Sequence, residues 1–214
     1  MDLARLRYLV VEGPIGVGKT SLAHAIADRL QADLMLEAPQ DNPFLARFYS
    51  DMARYALPAQ LNFLFQRVDQ IRPLTQTDLF RRATVSDFLF DKDPLFARLN
   101  LSDDEFALYE KIYSYLKPQV PVPDLVVYLQ ARTETLVDRV ARRGTEMEEG
   151  ISELYLARLA DAYTRYFHQY DQTPVLVVNS ERMNFVDNDD HVDLLMQQIA
   201  AMRGRREFFN LAEG

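Results

Sequence analysis

Gly13-Pro14-Ile15-Gly16-Val17-Gly18-Lys19-Thr20 is the stretch on which the fold turns. It follows the apolar run Tyr8-Leu9-Val10-Val11 and opens an amphipathic segment at 21–30. Strand, glycine-rich loop, Lys-Thr and helix, in that order, fill every fixed position of GxxxxGK[ST]. Glycines let the backbone approach an anion closely, with successive N–H groups aimed at its oxygens. The helix that follows adds the positive end of its dipole. In such a cradle Lys19 reaches the β- and γ-phosphates of a triphosphate, and the Thr20 hydroxyl binds Mg²⁺.

Outward from this loop, apolar runs and periodic segments alternate. Strands are predicted at 8–11, 34–36, 83–86, 125–129 and 175–178. Helices are predicted at 21–30, 42–54 and 59–72, then from Ser102 to about 116, from Thr133, at 152–170 and at 189–202. Ser102-x-x-Glu105 reads as a capping box, and Pro118, Pro121 and Pro123 end its helix. Five strands with intervening helices imply a parallel sheet covered on both faces, formed by residues 1–214 as one domain.

Composition narrows the chemistry. The chain has 214 residues and no cysteine, which excludes disulfides, thiolate catalysis and Cys-based zinc sites. Three histidines, His24, His168 and His191, read as structural or surface residues. A net charge of −8 argues against binding a nucleic-acid polymer. The basic cluster Arg203-Gly204-Arg205-Arg206 reads as a solvated tail. No apolar run approaches the length of a membrane span, so a cytoplasmic protein is expected.

A phosphate loop alone gives a nucleotide site and not a reaction. Glu37 closes the second strand, at the edge where ligands collect in an open parallel sheet. A carboxylate there could take a proton from an attacking hydroxyl, although a turn acid before Pro39 would look the same. Asp87 closes the third strand, where a carboxylate supports Mg²⁺ in phosphate-loop proteins. It reads equally as a helix N-cap. Arg139 and Arg143 share a helical face and run into 144–150, a charged loop bounded by Gly144 and Gly150. They balance a helix dipole or clamp phosphates from a lid at about 143–150. A guanine-reading Asn-Lys-x-Asp segment is absent from the place expected of a GTPase.

With these residues in place, the chain resembles the deoxyribonucleoside kinases, the family of deoxyguanosine, deoxyadenosine and deoxycytidine kinases. The likeness runs from about Tyr8 to Val178, through the loop with Glu12, Glu37-Ala38-Pro39, Asn42-Pro43-Phe44-Leu45, Phe65-Gln66, Phe96-Ala97 and the lid from Arg139 to Ile151. It implies a P-loop NTPase fold, ATP and Mg²⁺ as donor pair, and transfer to the 5′-hydroxyl of a deoxyribonucleoside, with purines weakly favoured. It also implies a homodimer. Residue by residue, it makes Glu37 the general base, Gln66 the base-pairing glutamine and Phe65 and Phe96 its aromatic neighbours. Tyr55 and Glu148 become the pair on the 3′-hydroxyl, and Arg139 and Arg143 the lid arginines.

Two departures accompany the likeness. Ser86-Asp87-Phe88 lacks the arginine that many members carry after strand three, leaving the cation near the acceptor oxygen unassigned. An Arg–Asp pair in the base pocket is not expected, because Pro73 and Lys92 stand at the matching places. The rival readings are a nucleoside monophosphate kinase such as thymidylate kinase, and a phosphate-loop module that senses nucleotide without catalysis.

Overall fold

The computed structural model describes residues 1–75, 82–117, 120–148 and 150–211. Pro118, Glu149 of the expected lid and the last three residues of the expected domain lie outside the described residues.

Strand β1 (Tyr8–Glu12) is buried along its whole length and lies at the centre of the sheet. Around it lie β2 (Asp33–Met35), β3 (Thr84–Ser86), β4 (Leu125–Gln130), β5 (Val175–Asn179) and β6 (Arg206–Phe209). The order is β2-β3-β1-β4-β5-β6, and every neighbouring pair is parallel. Alternation divides the strand side chains between two cores. Tyr8, Val10, Val126 and Tyr128 face one side, while Leu9, Val11, Leu125, Val127 and Leu129 face the other. Both faces are apolar because both are covered, as a parallel sheet requires.

On the first face lie α2 (Leu45–Ser50), α3 (Met52–Ile71), α4 (Asp93–Asn100), α5 (Asp103–Leu116) and α7 (Glu153–Gln169). On the second lie α1 (Lys19–Leu30), α6 (Thr133–Arg143) and α8 (Asp189–Ala201). The capping box is present, with Ser102 accepting from Glu105 N and Glu105 returning to Ser102 N.

Among the described residues the sheet has six strands, not five. The sixth is short and headed by charges, so its composition reads as tail. The basic cluster is anchored: Arg206 donates to Phe167 O and Tyr170 O, both at 2.6 Å, and Arg205 donates to Asp171 O at 2.6 Å. These are carbonyls at and just beyond the C-terminal end of α7, where cations also meet the negative end of the dipole.

Register sets where chemistry gathers. Ser86 pairs with both Val10 and Met35, so β2 and β3 end level with one another and β1 runs two residues further, to Glu12. The phosphate loop, Glu37 and Asp87 therefore leave the sheet at one rim. The rim lies beside the centre, where chain order reverses between the two halves of the sheet, the usual place for a ligand crevice.

Candidate active site

The loop after β1 is held open by backbone geometry that only glycine adopts freely. Gly16 and Gly18 have φ of +83° and +99°. A Cβ on Gly16 would lie 2.8 Å from Leu136 O of α6. Lys19 begins α1 and folds back to donate to Pro14 O at 3.2 Å. Burial, and then the neighbouring Lys92 ammonium, bring Lys19 below the ordinary lysine range.

Asp87 ties the loop to the β2 rim. One of its oxygens accepts from the Thr20 hydroxyl at 2.6 Å, and the other accepts from Glu37 N at 2.7 Å. Mg²⁺ prefers few protein ligands, with phosphates and water filling its octahedron. A threonine hydroxyl backed by one carboxylate fits that ion. Among the described residues no group of three or more His, Cys, Asp or Glu side chains forms a protein cage for a metal.

Glu37 lies opposite the loop across a cavity of about 930 Å³. Burial disfavours its charge, but the guanidinium of Arg67 and the ammonium of Lys92 outweigh this and bring its carboxyl down to about 2. Arg67 donates to Glu37 Oε1 through both Nε and Nη2, the former at 2.8 Å. Its Nη1 pairs with Asp93. Asp93 is fully buried; it also accepts from Gln60 Nε2 at 2.6 Å and from the Tyr109 hydroxyl. Three donors therefore meet one carboxylate, which is how a buried charge is tolerated. Burial and the facing Asp93 carboxylate push Tyr109 far above the ordinary tyrosine range.

The cavity wall brings together Ile15, Gly16, Lys19, Thr20, Glu37, Asp87, Phe96, Arg143 and Glu148 from the sequence expectations. It omits others. Gln66 is on a different face of α3, with its carbonyl oxygen buried and unbonded among the described residues. Gln60 lines the cavity in its place. Phe65 is 50% exposed, and Phe63 lines the cavity. Tyr55 lies under the guanidinium groups of Arg47 and Arg54, at 5.9 and 5.4 Å from its ring centre, while Tyr49 and Tyr155 accompany Glu148 on the wall. Beside the cavity an Arg–Asp pair is formed by Arg67 and Asp93, and not at Pro73 and Lys92.

Arg139 is also repositioned. It donates to Val17 O at 3.0 Å and to Ser180 O at 2.8 Å, so it braces the phosphate loop against the end of β5. Arg143 stays at the cavity mouth, bonded to Glu148. A second cleft of about 1220 Å³ adjoins the loop, walled by Arg139, Arg142, Arg143 and the segment 183–187.

The signal for Gln60 and Arg67 was available. They are seven residues apart, two helical turns, on the same stripe as Leu64 and Ile71. Polar residues on a buried stripe are conspicuous.

A sheet of this topology, a phosphate loop at its central strand and a facing carboxylate define a P-loop NTPase fold equipped for phosphoryl transfer. The chain belongs to the deoxynucleoside kinase family, whose model matches residues 9–202. It is 30% identical over 186 residues to deoxyguanosine kinase of Bacillus subtilis, covering 85% of this chain and 90% of that one. It is 28% identical over 197 residues to deoxyadenosine kinase of Lactobacillus acidophilus, covering 86% and 90%. A solved structure of deoxyadenosine kinase from M. mycoides superposes with a TM-score of 0.79 at 23% identity, covering 91% of this chain and all of the other. The chain is thus a transferase that phosphorylates a deoxynucleoside to its monophosphate.

Proposed function

We propose that the donor is ATP with Mg²⁺, that the acceptor is the 5′-hydroxyl of a deoxyribonucleoside, and that Glu37 is the general base. The observation that carries this reading is Glu37 facing Lys19 and the phosphate loop across one cavity. Arg67 occupies one oxygen of Glu37 and leaves Oε2 without a hydrogen bond among the described residues. That oxygen is available to the acceptor proton.

The 5′ O–H bond breaks as the oxygen attacks the γ-phosphorus, and Glu37 takes the proton. The bond from the γ-phosphorus to the bridging oxygen breaks, with its electron pair leaving on ADP. Lys19 and the loop N–H groups hold the charge that spreads over the transferring oxygens. Mg²⁺, when bound, neutralises phosphate charge; Thr20 would hold it, with Asp87 behind. Arg143 closes over the phosphates from a lid at about 143–150, and Glu148 meets the sugar 3′-hydroxyl.

Gln60, with Arg67 and Asp93 beside it, forms the polar end of the acceptor pocket, and Phe96 is a flat apolar wall. An amide supplies both a donor and an acceptor to a base edge. A purine preference is supported by the deoxyguanosine and deoxyadenosine kinases among the relatives. The second cleft suits the base of the donor nucleotide.

Residues 1–214 act as one kinase domain in the cytoplasm, where ATP is abundant. No helix among the described residues is long and apolar enough to cross a membrane. A homodimer is supported by exposed Phe65, Leu108 and Tyr115 on α3 and α5.

The test is ADP release with each of the four deoxynucleosides, with each monophosphate, and with neither. Release with a deoxynucleoside alone is expected. Release only with a monophosphate would make the chain a monophosphate kinase, and tight ATP binding without release would make it a sensor.

A further inference from the structure

Lys92 is 1% exposed, yet it lines the main cavity together with Lys19 and Glu37. A buried ammonium needs a reason, because burial strongly disfavours the charge. Its partner is Glu12, at 3.2 Å from one oxygen and 3.1 Å from the other. Glu12 has further partners. The carboxylate also accepts from Gly13 N at 2.8 Å, Leu89 N at 2.6 Å and the Tyr163 hydroxyl at 2.9 Å. Lys92 therefore has the longest contacts of the set.

The position is informative. Lys19 approaches the cavity from the loop side. Lys92 approaches from beyond β3, over the Phe96 ring at 5.4 Å from its centre, on the acceptor side. An ammonium carries three donors, and the two long contacts to Glu12 do not exhaust them. No arginine follows Asp87; Phe88 there is completely buried.

Resting on the kinase reading above, we propose that Lys92 is a second catalytic cation. Its ammonium donates to the acceptor 5′-oxygen and a non-bridging oxygen of the transferring phosphoryl group, while Glu12 holds it in place. Lys92 keeps its proton throughout; the acceptor proton goes to Glu37 and the electron pair to ADP. The need is chemical. A carboxylate as weakly basic as Glu37 takes the proton only once the bond from oxygen to phosphorus has begun to form and has made the hydroxyl more acidic. Until then the negative charge lies on the non-bridging oxygens of the transferring group, where a cation stabilises it, while the same ammonium orients the acceptor oxygen. Lys92 also lowers Lys19 and Glu37, as an ammonium close to both must.

The test compares Lys92→Met with the double variant E12Q/K92M, which removes both charges and so avoids an unpaired buried carboxylate. Single-turnover transfer is measured at saturating ATP–Mg²⁺ and nucleoside, alongside nucleoside binding and thermal unfolding. Folded variants should lose about 10²–10³-fold in transfer rate, with nucleoside affinity within about threefold of the parent. Lys92→Arg should recover part of the rate. Transfer within threefold of the parent in either folded variant overturns the proposal. So does a loss confined to KM, and so does failure of both variants to fold, which would make Lys92 a framework residue. A parent protein that releases no ADP with any deoxynucleoside would overturn the kinase reading instead.

Discussion

Arg143 donates from Nη2 to both carboxylate oxygens of Glu148, at 2.5 and 2.6 Å, so the guanidinium and the cavity-wall acid hold each other. Glu148 follows Arg143 by one short turn, residues Glu146–Glu148. Any sugar hydroxyl that bonds Glu148 competes with Arg143 for the same oxygens. Acceptor binding would then release the guanidinium toward the phosphates.

Arg143→Lys keeps the charge but loses the planar fork that contacts two phosphate oxygens at once. It should lower kcat about tenfold or more while nucleoside binding changes little. A 3′-deoxynucleoside should cost about 1–3 kcal/mol in kcat/KM, because Glu148 loses its sugar partner. Steady-state kinetics on matched 3′-hydroxyl and 3′-deoxy substrates check both. Equal efficiency would remove Glu148 from the sugar site.

Glu37→Gln should preserve shape and nucleoside binding and lower kcat by about 10²–10⁴. The pH dependence has a definite sign. Glu37 is held at about 2 in the folded chain, below its ordinary 4.5. It contributes stability that is fully present above 4.5 and is lost as pH falls toward 2. It therefore stays ionised in any assay above pH 4.5. Arg67→Met removes the main opposing charge, so the Glu37 carboxyl should rise and an acid limb should appear in the kcat profile at higher pH. A profile unchanged in that variant would disconnect Arg67 from the base.

Lys19→Ala should leave the fold intact and reduce transfer by about 10²–10³, the loss expected for one charge-stabilising contact of about 3–4 kcal/mol. Rapid-quench turnover at saturating ATP is the measurement. Near-parental turnover would displace the site from the loop.

Local pattern was legible where one principle acted alone. The phosphate loop, its two flanking elements and the strand-end acids Glu37 and Asp87 follow from motif and topology. The pocket floor was harder, because there two patterns overlap on one helix. On α3 the apolar period marks the buried stripe, and Gln60 and Arg67 interrupt it. They are buried because Asp93, distant in sequence, satisfies both. The resemblance points to Gln66, and a single-sequence reading, which assigns polar residues to solvent, gives no reason to move the role to Gln60. Arg139 shows a similar limit. Sharing a helical face with Arg143 is correct local geometry, but its guanidinium bonds to Val17 O and Ser180 O, partners that only the tertiary fold supplies. The sixth strand is four residues long and, among the described residues, pairs only with β5.

The loop geometry gives the last expectation. Gly13 has φ of +153°, and a Cβ there would lie 2.5 Å from Leu129 O and 2.9 Å from Val17 Cγ1. Leu129 O belongs to β4, which pairs with β1 through Glu12 and Tyr128 just before the loop. Gly13→Ala must therefore part β1 from β4 or tilt the loop away, and either movement displaces the N–H groups that hold phosphate. Overpacking and backbone strain together should cost about 2–5 kcal/mol. Gly144 is the natural comparison. Its φ is +58°, but no heavy atom lies within 4 Å of a Cβ built there. Gly144→Asn should cost no more than about 1 kcal/mol, since asparagine tolerates the left-handed region and has room. Urea unfolding of both variants, with calorimetric titration of ATP–Mg²⁺, separates the cases. Gly13→Ala should lose both midpoint and nucleotide affinity, and Gly144→Asn should keep both. Equal midpoints would mean that the loop accommodates a methyl group without disturbing β4, and that the close approach at Leu129 is not what shapes the cradle.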